Sequence, residues 1–487
     1  MSRPSTERWR WGGLALAAFV PRIAGAVLRQ PWHDEYFTAW AARLPFADLV
    51  AALRLDSGPP LPYLLVKLVA GIGLPPLAAA RAISVVAGVA AVLLAARAAR
   101  RTFGPAAGWW AGALLAVHPL AVAWSCEGRA YALVFLAAAW AWERIAALAR
   151  EGRGAVGLAA AVALACWSHG LGLLLAGVLA VVAVTLRPPE RTPALLAVGA
   201  GLASHLPWLP VALHQPPAAI AWMAAAWRAL PAPERIAAPV RLLSPLGGFA
   251  AALDLPSSPW WAETAAAVAL GAVVIAGCRV AGAWRPTIGA ALPPAALWTL
   301  AALGVPAFYP GRGEVLALAP LALLAGAAAG RWRPAALAVL ALAAGGAVTS
   351  GRALVAWAGA PPSGEQRIAA SLRRALPDGG TVVIGGYWRL GVAYHLGAAA
   401  ARDTLVNVPA EAARHPGWYD PRADVPAPDE VATLARRLLA SPAGVAIVVT
   451  PGLGTAPVLE RLAAVLHLRA ALAIPGAVVF LPDAGAR

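Results

Sequence analysis

The sequence predicts a polytopic α-helical membrane protein of about eleven spans, with a small soluble α/β domain at its C-terminal end. Three observations carry this. The 487-residue chain is 60% hydrophobic and only 13% charged, against roughly 25% charged in a soluble globular chain. Its mean hydropathy is +0.69. Apolar runs of bilayer-spanning length, about 17 to 25 residues each, recur from residue 11 to about residue 356 and then stop.

A net charge of +16 would suggest nucleic acid in a soluble protein. Here the arginines sit in short clusters between apolar runs, as expected of cytoplasmic loops, so no nucleic-acid partner is expected. Cys126, Cys166 and Cys278 have no metal-ligand spacing and read as small buried residues. Residues 11–30 resemble a signal peptide in length. Pro21, Arg22 and Arg29 stand where a cleavage site would lie, so the segment reads as an uncleaved first helix.

Arg3, Arg8 and Arg10 place the N-terminus in the cytoplasm and the segment 31–78 outside. The run 79–96 returns the chain to Arg97, Arg100 and Arg101. Pro59–Ile72 is apolar but only about 14 residues long, which suits an interfacial or re-entrant helix better than a span. Runs at 106–122, 130–148, 155–170, 171–186 and 194–212 follow, with Arg144, Arg150, Arg153, Arg187 and Arg191 on the inner side. A mixed outer segment, 213–260, precedes runs at 262–282, 287–304, 314–330 and 335–356. The last span leaves the C-terminal domain outside, in a protein of the cell (plasma) membrane.

Pro361-Pro362-Ser363-Gly364 punctuates the chain, dividing a transmembrane domain, 1–360, from a domain at 361–487. In the latter, the strand-like runs Thr381–Ile384, Val445–Val449 and Ala477–Leu481 alternate with helix-like stretches at Glu365–Leu376 and Pro428–Leu439. That alternation predicts an α/β domain.

The residues suited to chemistry gather at predicted outer ends of spans. Trp32-His33-Asp34-Glu35-Tyr36 sets two carboxylates just past the first span, where ionisable groups are functional candidates. An interfacial marker or a helix N-terminal charge is the plainer reading. Asp56 precedes the helix-breaking Pro59-Pro60, followed by Tyr63 and Lys67. Ser125-Cys126-Glu127-Gly128-Arg129-Ala130-Tyr131 forms another outer turn, where Glu127 and Arg129 suit either an ion pair or a phosphate contact. His169 occupies the turn Trp167-Ser168-His169-Gly170. Arg312, in Phe308-Tyr309-Pro310-Gly311-Arg312-Gly313-Glu314, opens the tenth span. Carboxylates and guanidiniums on one face point to an anionic substrate with a base beside it.

The ordered set Trp32-x-Asp34-Glu35, Asp56 with Pro59-Pro60-Leu61-x-Tyr63, and Glu127-x-Arg129-x-Tyr131 resembles the GT-C superfamily of glycosyltransferases. More narrowly it is similar to the bacterial branch related to protein O-mannosyltransferases and the aminoarabinose transferase of lipid A. Ser168-His169 and Leu206-Pro207-Trp208-Leu209-Pro210 share that likeness. The resemblance covers nearly all of residues 11–356. It implies a polyprenyl-phosphate sugar donor, a cell-envelope acceptor hydroxyl and inversion at the anomeric carbon. It also implies a catalytic pair, Asp34 and Glu35, with Asp34 as general base. Donor or substrate contacts then fall to Asp56, Tyr63, Lys67, Glu127, Arg129, Tyr131, His169 and Arg312. Phosphate is a good leaving group, so one base and cations on the phosphate suffice. Gly58, Cys126 and Pro62 depart from residues common in relatives and leave the base untouched.

Asp34, Glu35 and Asp56 also suit a hydrated divalent cation, so metal dependence stays open. A secondary transporter or lipid-substrate flippase is the rival reading. It predicts internal repeats and interrupted helices at the midplane, and no such repeat is visible. A non-catalytic lipid-binding protein would tolerate loss of Asp34.

Overall fold

The computed structural model describes residues 4–237, 258–307, 311–413, 415–418, 424–440 and 444–482. Residues 238–257, much of the polar outer segment expected at 213–260, lie outside the described residues, as do Phe308-Tyr309-Pro310. The chain forms two compact units: Met1–Arg29 with Ser57–Gly359, and Gln30–Asp56 with Ala360–Arg487. Residues 30–56, kept with the transmembrane part in the sequence reading, thus group with the C-terminal residues.

The first unit is helical: α1 Pro4–Leu28, α4 Leu61–Ala70, α5 Pro76–Phe103, α6 Pro105–Val117, α7 Pro119–Cys126, α8 Tyr131–Glu151, α9 Ala155–Ser168, α10 Leu171–Val184 and α11 Pro188–Ala203. Short helices α12 Leu209–Ala212, α13 Ala218–Ala229 and α14 Ala232–Ala237 lead on to α15 Trp260–Cys278, α16 Trp284–Ala302, α17 Val315–Ala329 and α18 Arg333–Ala358. By length and composition, six described helices suffice to cross a membrane, or seven if the bent pair α6–α7 counts as one. The other apolar runs are also helical, but α9, α10 and α17 have only 14, 14 and 15 residues. At about 1.5 Å per residue these fall short of a hydrocarbon core of about 30 Å. Helix α4 has ten residues, which is also too few.

Every residue of α17 is buried. A helix apolar on all sides belongs at the centre of its neighbours, and α17 packs against α5, α6, α8, α15, α16 and α18. Glycine makes that approach close. A Cβ on Gly326 would lie 2.3 Å from the Ala107 carbonyl oxygen, and one on Gly277 would lie 2.2 Å from that of Leu324. Tight backbone contact of this kind is how helices associate where no water is expelled.

One span is broken. Helices α6 and α7 meet at 57° on either side of His118-Pro119, and Pro119 has no N–H to give the preceding turn. The freed carbonyls are met by side chains. Fully buried Arg22 donates from Nη1 to Ala116 O at 2.7 Å and to Ala18 O at 2.8 Å, and from Nη2 to Leu115 O at 3.1 Å. Ser350 Oγ donates to Val117 O at 3.3 Å. Backbone acceptors in lipid must be satisfied internally. Arg22, which the sequence reading used only against a cleavage site, is the residue that makes the bend tolerable.

The second unit holds a five-stranded sheet, β1 Thr381–Gly385, β2 Thr404–Val408, β3 Val445–Val449, β4 Arg469–Ile474 and β5 Ala477–Leu481. Strand order is β2-β1-β3-β5-β4. The pairs β1–β2 and β1–β3 are parallel; β3–β5 and β4–β5 are antiparallel. Alternation assigns the faces. Val382, Ile384, Ala446 and Val448 pack with Ile368 and Leu372 of α19 Gly364–Ala375. Val383, Val445 and Ile447 pack on the other face with Leu434 and Leu438 of α21 Pro428–Ala440 and with Leu459 and Leu462 of α22 Ala456–Val465. Ser363 starts α19 with a capping box: Gln366 N donates to Ser363 Oγ at 3.2 Å, and Ser363 N donates to Gln366 Oε1 at 2.8 Å. The segment 30–56 adds α2 His33–Ala41 and α3 Phe46–Arg54, and Leu49 and Leu53 of α3 are fully buried. Helix α20, Arg389–Leu396, follows β1 and packs on α2.

Candidate active site

In the helical unit, Tyr131, His169 and Arg312 of the candidate residues meet at the start of α8. The break Glu127-Gly128-Arg129-Ala130 separates α7 from α8, and Tyr131 heads the new helix. Its buried ring packs on Trp124 at 4.3 Å and on His169 at 5.2 Å between centroids. Arg312 lays its guanidinium over the same ring at 5.8 Å and over Trp222 at 5.1 Å, a cation–π arrangement. Trp124 Nε1 donates to Gly311 O at 2.7 Å, which fixes the backbone beside Arg312.

His169 lies in the α9–α10 link. Its Nδ1 accepts from Leu171 N at 3.1 Å, so the ring proton is on Nε2. Burial, then the positive charges of Arg129 and Arg312, push the imidazole down to about 3. It is therefore a neutral donor, and its titration places Arg129 and Arg312 in one electrostatic neighbourhood.

Glu127 has a partner on the other side of the α7–α8 break. Its carboxylate is buried and accepts from Arg29 Nη1 at 3.1 Å. Arg29 also lies over Trp357 at 5.4 Å, and Arg81 Nη1 donates to the Ala26 and Arg29 carbonyls at 2.7 Å each. Glu127 is thus a buried ion-pair partner tying the end of α1 to the α7–α8 break. Tyr63 is buried on α4, whereas Lys67 is exposed near its C-terminal end. The contacts that define the cluster run through Tyr131, His169 and Arg312.

In the second unit, Asp34 and Glu35 occupy the first turn of α2, where the helix dipole favours a carboxylate. Glu35 is fully buried; Asp34 is half-buried, and its carbonyl accepts from Thr38 Oγ1 at 2.9 Å. Side-chain contacts help hold this segment. His33 Nε2 bonds Gly417 O at 2.7 Å, Tyr36 Oη bonds His395 Nε2 at 2.7 Å, and Trp418 Nε1 donates to Leu55 O at 2.8 Å, one residue before Asp56. His415 packs on Phe37 at 4.8 Å. Burial holds the His415 imidazole below its usual range, while Asp56 pulls it up and His33 pushes it down. Among the described residues, no group of three His, Cys, Asp or Glu side chains is placed to hold a metal ion.

Sequence reasoning missed Trp124 and Trp222, which hold Tyr131 and Arg312, and Arg29, which takes Glu127. It also missed His33, His395, His415 and Trp418 around α2. The Trp-rich composition, 21 tryptophans, hinted at aromatic platforms, but nothing in spacing said which faced the cluster.

Residues 57–210 match the family model described as dolichyl-phosphate-mannose-protein mannosyltransferase. Glu127, Arg129, Tyr131 and His169 lie inside that match; Asp34, Asp56 and Arg312 lie outside it. Solved structures share the fold. ArnT from Cupriavidus metallidurans bound to undecaprenyl phosphate is 15% identical with a TM-score of 0.50, covering 99% of this chain and 99% of that one. Apo ArnT is 17% identical with a TM-score of 0.51, covering 96% and 97%. The Archaeoglobus fulgidus oligosaccharyltransferase tethered to an acceptor peptide is 14% identical with a TM-score of 0.51, covering 91% of this chain and 69% of that one. A search of curated proteins gives no match.

Proposed function

We propose that this chain, a multi-pass membrane glycosyltransferase of the GT-C superfamily by fold and family model, moves a sugar from a polyprenyl-phosphate donor to a hydroxyl of a cell-envelope acceptor. The reaction takes place at the outer face of the plasma membrane. The observation that carries the reading is the cluster of Arg312, Tyr131 and His169, with the charge of Arg129 beside it. The undecaprenyl phosphate in the ArnT structure and the dolichyl phosphate in the family's description support a lipid-phosphate donor.

The chemistry follows from charge. Asp34 takes the proton of the acceptor hydroxyl, whose oxygen bonds the anomeric carbon with inversion. The bond from that carbon to the phosphate oxygen breaks, and its electron pair leaves on the polyprenyl phosphate. Arginine suits the leaving phosphate because it stays charged to a pKa above about 12 and its fork matches two oxygens. A neutral His169 adds an N–H without requiring protonation. Glu35, Asp56, Tyr63 and Lys67 stand as further substrate contacts.

The transporter reading anticipates interrupted helices. Among the described residues one span is bent in this way, at α6–α7, but its carbonyls are bonded to Arg22 and Ser350, which supports a structural break. Donor binding tests the proposal. Arg129→Lys and Arg312→Lys keep charge and lose the fork, so each should weaken binding of a polyprenyl-phosphate sugar to purified protein by about tenfold at an unchanged melting temperature. Unchanged donor affinity with lowered melting would assign both arginines to the scaffold.

A further inference from the structure

Away from the candidate site, at the α1 N-terminal and α5 C-terminal ends, lies a cavity of about 540 Å³ lined by Trp11, Leu93, Arg97, Arg100 and Arg101. Trp11 is held against Trp109 with ring centroids 5.4 Å apart. The surrounding charges do not cancel. Glu143 is shared by Arg97 at 3.7 Å, Arg101 at 2.9 Å and Arg144; Glu151 by Arg101 at 3.5 Å and Arg153 at 2.6 Å; and Glu7 pairs with Arg100. Five arginines therefore face three carboxylates. Arg97, with its long contact and a side chain 51% exposed, is the most loosely paired of these five.

The surface leading from this cavity is apolar and exposed. Steps of seven, four and three residues put Val86, Leu93, Arg97 and Arg100 on one face of α5. Helices α1 and α5 pack together, and the shared cavity sets the start of α1 beside the end of α5. An exposed apolar strip ending in a basic, tryptophan-walled cavity has the amphipathic layout of a lipid.

We propose that this cavity binds the headgroup of an anionic phospholipid, with Arg97 and Arg100 on its phosphate, Trp11 at the interfacial level, and the acyl chains along α5. Basic pockets between membrane helices take such headgroups, and each arginine near the surface adds to the attraction. This occupant is distinct from the sugar donor, since the residues involved are not those of the candidate active site.

The test uses full-length protein reconstituted in nanodiscs of phosphatidylcholine and phosphatidylglycerol in equal amounts. Lipid retained after extraction into detergent is counted by native mass spectrometry. Wild type should retain phosphatidylglycerol over phosphatidylcholine by about tenfold; Arg97→Gln should lose that preference and Arg97→Lys should keep most of it. No preference in wild type, or an undiminished one in Arg97→Gln, overturns the proposal. Should Arg97→Gln fail to fold, the wild-type ratio and Arg97→Glu in its place decide. Displacement of the retained lipid by millimolar glycerol phosphate would assign the cavity to soluble phosphates and likewise overturn the lipid.

Discussion

The two ends of α8 place arginine in opposite settings. At the end carrying Glu143 and Glu151, guanidiniums crowd around carboxylates, and a fully buried Glu143 gathers three of them. At the Tyr131 end, Arg312 lies on aromatic faces beside a histidine kept neutral by burial and by cationic neighbours. The first arrangement sets guanidiniums on carboxylates of the chain. The second sets a cation over aromatic rings. Arginine counts alone do not separate these settings. The identity of the neighbours does.

Breaking the scaffold should cost the most. Arg22→Met leaves the Leu115 and Ala116 carbonyls of the broken span unmet in a waterless setting, at about 1–3 kcal/mol for each. The expected result is a large fall in melting temperature or failure to fold, read by thermal denaturation in detergent. Wild-type melting would mean that the bend needs no internal donor.

Glu143→Gln is the next largest. It removes the carboxylate that Arg97, Arg101 and Arg144 share; because those arginines are partly exposed, the loss should be about 1–3 kcal/mol rather than the full cost of a buried pair. Donor affinity should stay put. Replacing Tyr131 by Leu at the other end should do the reverse, weakening donor binding about three- to tenfold through loss of the ring beneath Arg312 while melting changes less. If both variants altered stability alone, the contrast between the two ends would collapse.

Smaller still is a pH effect. The folded-state pKa of His169 is depressed to about 3 against an ordinary value near 6.5. The unfolded chain therefore binds a proton that the folded one refuses, so stability is lost as pH falls through about 6.5 toward 3. His169→Gln should flatten the fall in melting temperature over that range; an unchanged slope would show that His169 protonates in the folded protein.

Much of the fold was legible because hydropathy and β-branching report burial directly. The runs Thr381–Ile384 and Val445–Val449 are strands for the same reason that they are buried on both faces. β4 was not legible. It reads Arg469-Ala-Ala-Leu-Ala-Ile474, mostly exposed at the sheet edge, and alanine carries no strand signal. Pro119 was visible, but proline is tolerated in membrane helices, and only Arg22, 94 residues away from the Ala116 carbonyl it bonds, shows how the break is stabilised. The order Glu127, Arg129, Tyr131, His169, Arg312 was legible, and in the structure Tyr131 meets His169 and Arg312. It did not reveal that Glu127 belongs to Arg29, 98 residues distant, since pairing across helices has no local pattern. The grouping of residues 30–56 with the C-terminal sheet was equally hidden, because it rests on His33, Tyr36 and Leu55 meeting partners more than 350 residues later.

The most direct measurement is the release of polyprenyl phosphate from a polyprenyl-phosphate sugar by purified protein in the presence of envelope lipid extract, comparing wild type with Asp34→Asn. The substitution keeps size and polarity and removes the base. Wild type should consume donor and label an acceptor, and Asp34→Asn should be slower by about 10²-fold or more at an unchanged melting temperature. Equal rates in the two proteins would contradict base catalysis by Asp34, and no donor consumption by wild type with any polyprenyl-phosphate sugar would contradict the transfer itself.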